Sequence, residues 1–291
     1  MKDQSKNASG VTLPGSLHAL LRHLLRDRWE RHRHELKACQ RQFTEESVHE
    51  SRVAARRLLA TVELLASLHE TNALRRARRT LKAHLDLLAP LRDAQVQLQF
   101  AADLPAARPA GHDFEKFLRQ RANQAARRAE KGVARLKIHR LAKLVGRFDK
   151  KLCRPGHRGE EPGDFRVLLS GATRAFARAQ TAKARIHASR PETIHRTRIA
   201  FKKFRYTVEL LAPLLPGMPA GRLEALRRYQ RLLGDIQDAT VLLATLTEFA
   251  EIEPLTTRAL LQKAQRRRDQ LIRRYLRHAD RLDAFWPVAQ K

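Results

Sequence analysis

Eight basic residues fall at two matched sets of positions: His49, Arg52, Arg56 and Arg57, then His195, Arg198, Lys202 and Lys203. Imidazolium, guanidinium and ammonium groups donate charge-assisted hydrogen bonds, so the chemistry they suit is holding an anion, phosphate above all. At about 100° per residue a helix gathers His49, Arg52 and Arg56 into one narrow stripe, with Arg57 on its flank. His195, Arg198, Lys202 and Lys203 repeat the stripe.

The helices that must carry these stripes come as a duplicated segment. Ser47 to Leu65, SVHESRVAARRLLATVELL, returns 146 residues later as Thr193 to Leu211, TIHRTRIAFKKFRYTVELL. His49, Arg52, Ala54 and the run from Thr61 to Leu65 meet identical residues there, whereas Arg56 and Arg57 meet Lys202 and Lys203. Opposite the charge lies an apolar face: Ala54, Leu58, Val62 and Leu65 in one copy, Ala200, Phe204, Val208 and Leu211 in the other. Ser47, with Glu50 three residues on, is predicted to cap the first helix, and Thr193 the second. Both His would then lie in first turns, where free backbone N–H groups favour an anion. One basic helix face alone reads as solvated surface. Two copies that keep one stripe in register read as two related anion sites, because solvation needs charge somewhere but not at matching positions.

Each copy is followed by a Leu-rich helix ending near an Asp: LDLLAPLRDAQVQL, Leu85 to Leu98, and QRLLGDIQDATVLL, Gln230 to Leu243. The doubled pattern H-x-x-R-V/I-x-x-R/K-R/K, with these pieces after it, resembles the CHAD family, the conserved histidine α-helical domain. The family's wording in the later piece is L-G-x-x-R-D; Ala89 stands for the Gly in one copy and Gln237 for the Arg in the other, while Asp93 and Asp238 fit. The resemblance covers about Leu17 to Leu282 and implies paired helical bundles around a basic central channel that binds inorganic polyphosphate. The contacts expected on these grounds are the eight residues above, with Arg28, His32, Lys82, Arg174, Arg178, Arg205 and Arg227 as a second set.

Helical periods and short breaks leave little room for strands, so the expected class is all-α, two pseudo-symmetric bundles of about four main helices each. The predicted plan is a disordered leader at 1–15, one domain at 16–285 and a tail at 286–291. Within the domain, half one covers 16–153, a linker 154–163 and half two 164–285. Leu17 to about Gln42 reads as the first helix. Leu74 to Leu88 is another, broken by Pro90 before a helix from Asp93, and Pro105, Pro109 and Gly111 mark a loop. Phe114 to Leu152 reads as one long helix, and Asp164 as the cap of a helix to about His187. After a turn from Pro213 to Gly221, Arg222 to Leu233 is helical, with a break expected at Gly234 and a helix resuming to Phe249. Pro254 opens the last helix, and Phe285 and Trp286 should pack on the bundle.

A net charge of +29 over 291 residues repels itself unless a polyanion is near, so the expected partner is polyphosphate, nucleic acid or an anionic surface. Aromatics at 5% are too few for stacking-based recognition of single strands. Cys39 and Cys153 stand alone, without a disulfide framework or a CxxC module, which fits a reducing cytoplasm, with polyphosphate granules as a setting. No apolar run approaches a membrane span.

No catalytic group or cofactor site is expected. HESRV is not a zinc HExxH motif, since Val53 stands where the second His must be, and there is no Walker loop or Rossmann fingerprint. The His32-Arg33-His34 run reads as solvated surface rather than a metal site, because its two His point to different faces of a helix. Glu63 and Glu209 recur in register and read as partners of neighbouring Arg, Asp93 and Asp238 as helix-start caps or Arg partners. The reading is therefore a non-enzymatic polyphosphate binder. A basic helical nucleic-acid-binding protein is the alternative, and a phosphoanhydride-processing enzyme the third reading, for which no acidic metal cage is present.

Overall fold

A computed structural model describes residues 17–102, 110–152, 162–215 and 218–286. The expected leader, Pro105, Pro109, Cys153 and most of the expected linker lie outside the described residues. Among the described residues there are ten α-helices and no strand: α1 Leu17–Arg41, α2 Glu45–Leu68, α3 Asn72–Leu87, α4 Ala89–Ala102, α5 Ala110–Ala134, α6 Ile138–Leu152, α7 Pro162–Ala184, α8 Pro191–Leu211, α9 Ala220–Ile252 and α10 Pro254–Leu276. Short 3₁₀ segments cover Ala212–Leu214 and Ala279–Phe285. The all-α class holds.

Neighbour relations repeat along the chain. α1 packs on α2, α2 on α3 and α4 on α5; in the second half α7 packs on α8, α8 on α9 and α9 on α10. α6 lies on α1 and α3, and the 3₁₀ segment Ala279–Phe285 lies on α7 and α9. The halves share one main core. Leu21, Leu58, Leu65 and Leu81 from the first half belong to one buried cluster with Phe201, Phe204, Tyr229 and Tyr275 from the second. The Tyr229 and Tyr275 hydroxyls lie 2.9 Å apart, and Tyr229 donates to the Ala279 carbonyl at 3.0 Å. Phe285 and Trp286 are buried as expected, and Trp286 Nε1 donates to Thr173 Oγ1 at 3.0 Å. The boundary drawn at 285 therefore cuts one residue short of the packed structure.

Several expected boundaries move, each for a tertiary reason. α9 runs through Gly234 without a break, because Leu233 and Ile236 continue the buried face on either side and outweigh the roughly 1 kcal/mol that a helical Gly costs. The long helix expected from Phe114 to Leu152 is two helices, and Gly111, placed in a loop, lies inside α5. The end of α5 is held by Gln40 of α1, whose Nε2 donates to the Val133 and Leu136 carbonyls at 3.0 and 3.1 Å. Gly132, one turn earlier, lies against the Leu87 side chain so closely that a Cβ there would displace it. Pro90 does not separate two helices at Asp93; α4 already starts at Ala89, with Pro90 in its first turn.

His32 is buried, not solvated. Its ring lies 5.3 Å from that of His84 between centroids, and its Nδ1 has no hydrogen-bond partner among the described residues. Burial pulls the His32 pKa down to about 4 from an ordinary value of 6.5. The unfolded chain therefore takes up this proton near pH 6.5 and the folded chain only near 4, so its contribution is level above pH 6.5 and lost as pH falls through that interval. His32→Leu should melt at or above the parent's temperature at pH 7.5, and the gap in its favour should widen at pH 5, measured by thermal unfolding at both values.

Candidate functional site

The helix starts differ from the expected caps. Thr44, not Ser47, is the N-cap of α2, and Ser47 completes the capping box from the third helical position. α8 starts behind Arg190 with Pro191 in its first turn, and Thr193 Oγ1 donates to the Arg190 carbonyl from inside the helix. His49 and His195 consequently both occupy the fifth helical position, where the backbone N–H already bonds within the helix. The free N–H groups of a first turn are therefore not theirs to share. Their matched register survives, and with it the alignment of the two stripes.

α2 and α8 pack against each other, so the stripes meet. Arg52, Arg56, Arg198 and Lys202 are all half-buried and close enough to repel one another. Burial lowers the Arg52 pKa to about 10, with Arg56 and Arg92 adding to the effect and Asp93 opposing it. Burial likewise lowers Arg198, against the pull of Asp238 and Asp93. Lys202 falls furthest, to about 7, first through burial and then through Arg56, Arg198, Arg205 and Arg52. The two acids do not neutralise this cluster. Asp238 is itself raised by burial, although Arg92 and Arg198 draw it back. Neither Asp93 nor Asp238 is a helix cap: the first lies one turn into α4 and the second in the middle of α9.

Three of the expected contacts carry a buried N–H without an acceptor among the described residues: Arg28 Nε, Arg52 Nη1 and Arg198 Nε. Leaving such a donor unpaired costs about 1–3 kcal/mol, more for a charged group. Two recesses open beside Arg28 and Arg52, whereas Arg198, Lys202 and His195 line neither. One, of about 470 Å³, lies between α1, α2, α8 and α9 and is lined by Arg28, Arg56, Arg57, Arg205, Tyr206 and Arg227, among others. The other, of about 170 Å³, is lined by His49, Arg52, Arg92, Gln95 and Gln99, with Glu45 and Val48 at its edge.

The remaining expected residues are distributed unevenly. Arg205 and Arg227 both donate to Glu209, at 2.8 and 3.0 Å, and the Arg205 guanidinium lies 4.2 Å over the Tyr206 ring. Glu209 is thus the brace of two cations, as its repeat position suggested; Glu63 has Lys82 as its partner, at 4.0 Å. Lys82, Arg174 and Arg178 are exposed and line neither recess, and Lys203 is exposed on α8. His32 is buried beside His84 and lines neither recess. His195 Nδ1 donates to Gln237 Oε1, so the residue standing for the family's Arg orients this His. Arg92 and His84 are absent from the sequence-derived set. The R-D wording was the signal for Arg92. His84 had none: it is reached only through burial beside Arg52 and a 3.3 Å contact between its Nε2 and Ser51 Oγ.

A sequence model of the CHAD domain matches residues 17–247. The chain belongs to the CHAD family. Its fold is similar to the crystal structure of the CHAD domain from the plant Ricinus communis, with a TM-score of 0.67 and 20% identity, over 96% of this chain and 93% of that one. It is similar to the same degree to PptA from Streptomyces chartreusis, with a TM-score of 0.67 and 19% identity, over 91% of this chain and 99% of that one. None of the curated proteins matches. Some members of the CHAD family bind polyphosphate. No helix among the described residues is long and apolar enough to cross a membrane.

Lys202 gives the cluster a measurable cost. The unfolded chain keeps its proton to about pH 10.5 and the folded chain only to about 7. The unfolded state thus binds more protons between these values, and stability rises with pH across that interval. Lys202→Met should therefore unfold at a higher temperature than the parent at pH 6, by about 2–4 °C or more, with the gap shrinking at pH 9. Thermal melts without added anion check this.

Proposed function

We propose that this CHAD protein binds long-chain inorganic polyphosphate without catalysis, along a basic channel whose walls are the stripes of α2 and α8. The observation that carries the reading is the set of buried guanidinium N–H groups on Arg28, Arg52 and Arg198 that no acceptor among the described residues satisfies. A phosphate oxygen supplies both the missing acceptor and the missing charge. Binding of polyphosphate by other members of the family supports the choice of anion. The contacts are His49, Arg52, Arg56, Arg57, His195, Arg198, Lys202 and Lys203, joined by Arg28 and Arg92 and supported by the braced Arg205 and Arg227.

Recess size favours a thin polyanion over a duplex. A chain of single phosphates can enter spaces of about 470 and 170 Å³, whereas a duplex would engage only the exposed rim cations. Affinity would come from forked hydrogen bonds to successive phosphates and from release of their counterions. The non-catalytic part of the reading rests on the surroundings of the stripe. Asp93 and Asp238 face several cations each, Glu45 and Glu209 lie at the two recesses, and among the described residues these acids do not gather into a carboxylate cage for a divalent metal.

Arg52→Ala combined with Arg56→Ala should weaken polyphosphate binding about 100-fold and lower the slope of log affinity against log salt by about 1–2. Titration at several salt concentrations measures both, and an unchanged affinity would remove the stripe from the site. Competition between polyphosphate and random duplex DNA at equal phosphate decides between the two polyanions. Equal binding would favour the nucleic-acid reading. Because a phosphate beside Lys202 restores its charge, binding at pH 7.5 should take up a fraction of a proton, seen as a dependence of the calorimetric heat on buffer ionisation enthalpy. Lys202→Met should abolish that dependence.

A further inference from the structure

Away from the cationic stripes, three residues distant in sequence converge at the junction of the two halves. His18 is the second residue of α1, His69 the C-cap of α2, and Asp164 the third residue of α7. A ring nitrogen from each His and a carboxylate oxygen of Asp164 all lie within 4.8 Å of one another, and His18 Nε2 is 3.2 Å from Asp164 Oδ2. We propose that His18, His69 and Asp164 form a binding site for a transition-metal ion of the zinc class.

The donor geometry is close to what such an ion needs. Zinc holds imidazole nitrogens and carboxylate oxygens at about 2.0–2.2 Å, which puts tetrahedral donor atoms roughly 3.3 Å apart. Small rotations of His69 and Asp164, both only half-buried, bring the set to that spacing, while His18 is already fixed by its burial at 7% exposure. The backbone under His69 is pinned as well, since its N–H donates to the Leu65 carbonyl at 3.0 Å. Three protein ligands leave the fourth position to water.

The ligands select the ion. The donor set is two imidazole nitrogens and a single carboxylate, so among the three ligands only Asp164 is negative. A hard ion held by charge, such as Mg²⁺ or Ca²⁺, is disfavoured there and wants more oxygen donors than are present. An ion held by donation from two imidazoles is not so limited. Because the three ligands come together only in the folded chain, the ion would bind that state alone and tie α1 and α2 to α7. This site shares no residue with the polyphosphate contacts, so either can fail without the other.

The test uses the full chain, stripped with chelator and free of polyphosphate. Titration with Co²⁺ should give the visible absorption of a tetrahedral nitrogen and oxygen site at one equivalent per chain, displaced by Zn²⁺. A slight excess of Zn²⁺ should raise the melting temperature by about 2–4 °C or more, and the same concentration of Mg²⁺ should not. His69→Ala and, separately, Asp164→Asn should each weaken Co²⁺ binding by about tenfold or more and remove the Zn²⁺-dependent shift. Asp164→Asn keeps the shape of the side chain, so a folding defect in the His variant does not decide the matter. Unchanged Co²⁺ binding in both variants, an equal response to Mg²⁺, or no response to Zn²⁺ would overturn the site.

Discussion

Arg52, Arg56, Arg198 and Lys202 repel one another where α2 meets α8, and burial withholds much of the water that would screen the repulsion. The opposing energy comes from the backs of the same helices. Leu58, Val62 and Leu65 on α2, and Phe201, Phe204 and Val208 on α8, are buried to 1% exposure or less in a core that spans both halves. Each such side chain contributes about 1.5–3 kcal/mol on burial. Displacing Lys202 from 10.5 to about 7 represents a cost of about 5 kcal/mol, so two or three of these side chains offset it. The charged face can exist because the apolar face is continuous. That explains why the duplicated segment keeps both faces together.

How far the sequence disclosed this follows from the range of each interaction. The apolar faces of α2 and α8 are set by spacing within one helix; every residue assigned to them is buried except Ala200, which is half-buried. Caps depend on one or two hydrogen bonds among several competent neighbours. Thr44 and Ser47 are both credible, and the entry of the chain from α1 selects Thr44. Gly234 and the end of α5 depend on partners far along the chain: the continuous core under α9 in one case, Gln40 of α1 in the other. His32 and His84 were out of reach for the same reason, since nothing local distinguishes a His that meets another His across two helices from one that faces water. The convergence of His18, His69 and Asp164 is of this long-range kind too.

The two copies are alike in their charge and unlike in what supports it. In the first, Arg92 adds a cation beside Arg52 and the small recess. In the second, the corresponding Gln237 is neutral and spends its carbonyl on His195. The large recess is asymmetric as well: Arg205 and Arg227 are both drawn to Glu209, whereas Arg56 and Arg57 on the facing helix have no such acid among the described residues. A polyanion crossing the site would therefore meet cations free to turn toward it on the α2 side and cations already held in place on the α8 side. The two stripes share a register in the sequence, and they differ in the partners that support them.

A site built from mutually repelling groups must be tolerable when empty and strong when filled, and Lys202 reconciles the two demands. Arg guanidinium groups stay charged at neutral pH even with the burial at Arg52 and Arg198, so they cannot relieve the repulsion. An ammonium group at the same depth can, because its pKa reaches the working range, at about 7. Without an anion, part of the population sheds this proton and one member of the cluster becomes a neutral amine. On the proposed reading, a phosphate entering between α2 and α8 would reverse the balance and return the proton, so that the full charge would be present only when an anion is there to meet it. The position aligned with Lys202 is Arg56, which cannot do this. The replacement of Arg by Lys in one copy is thus a physical difference between the halves, placed where the crowding of charge is greatest.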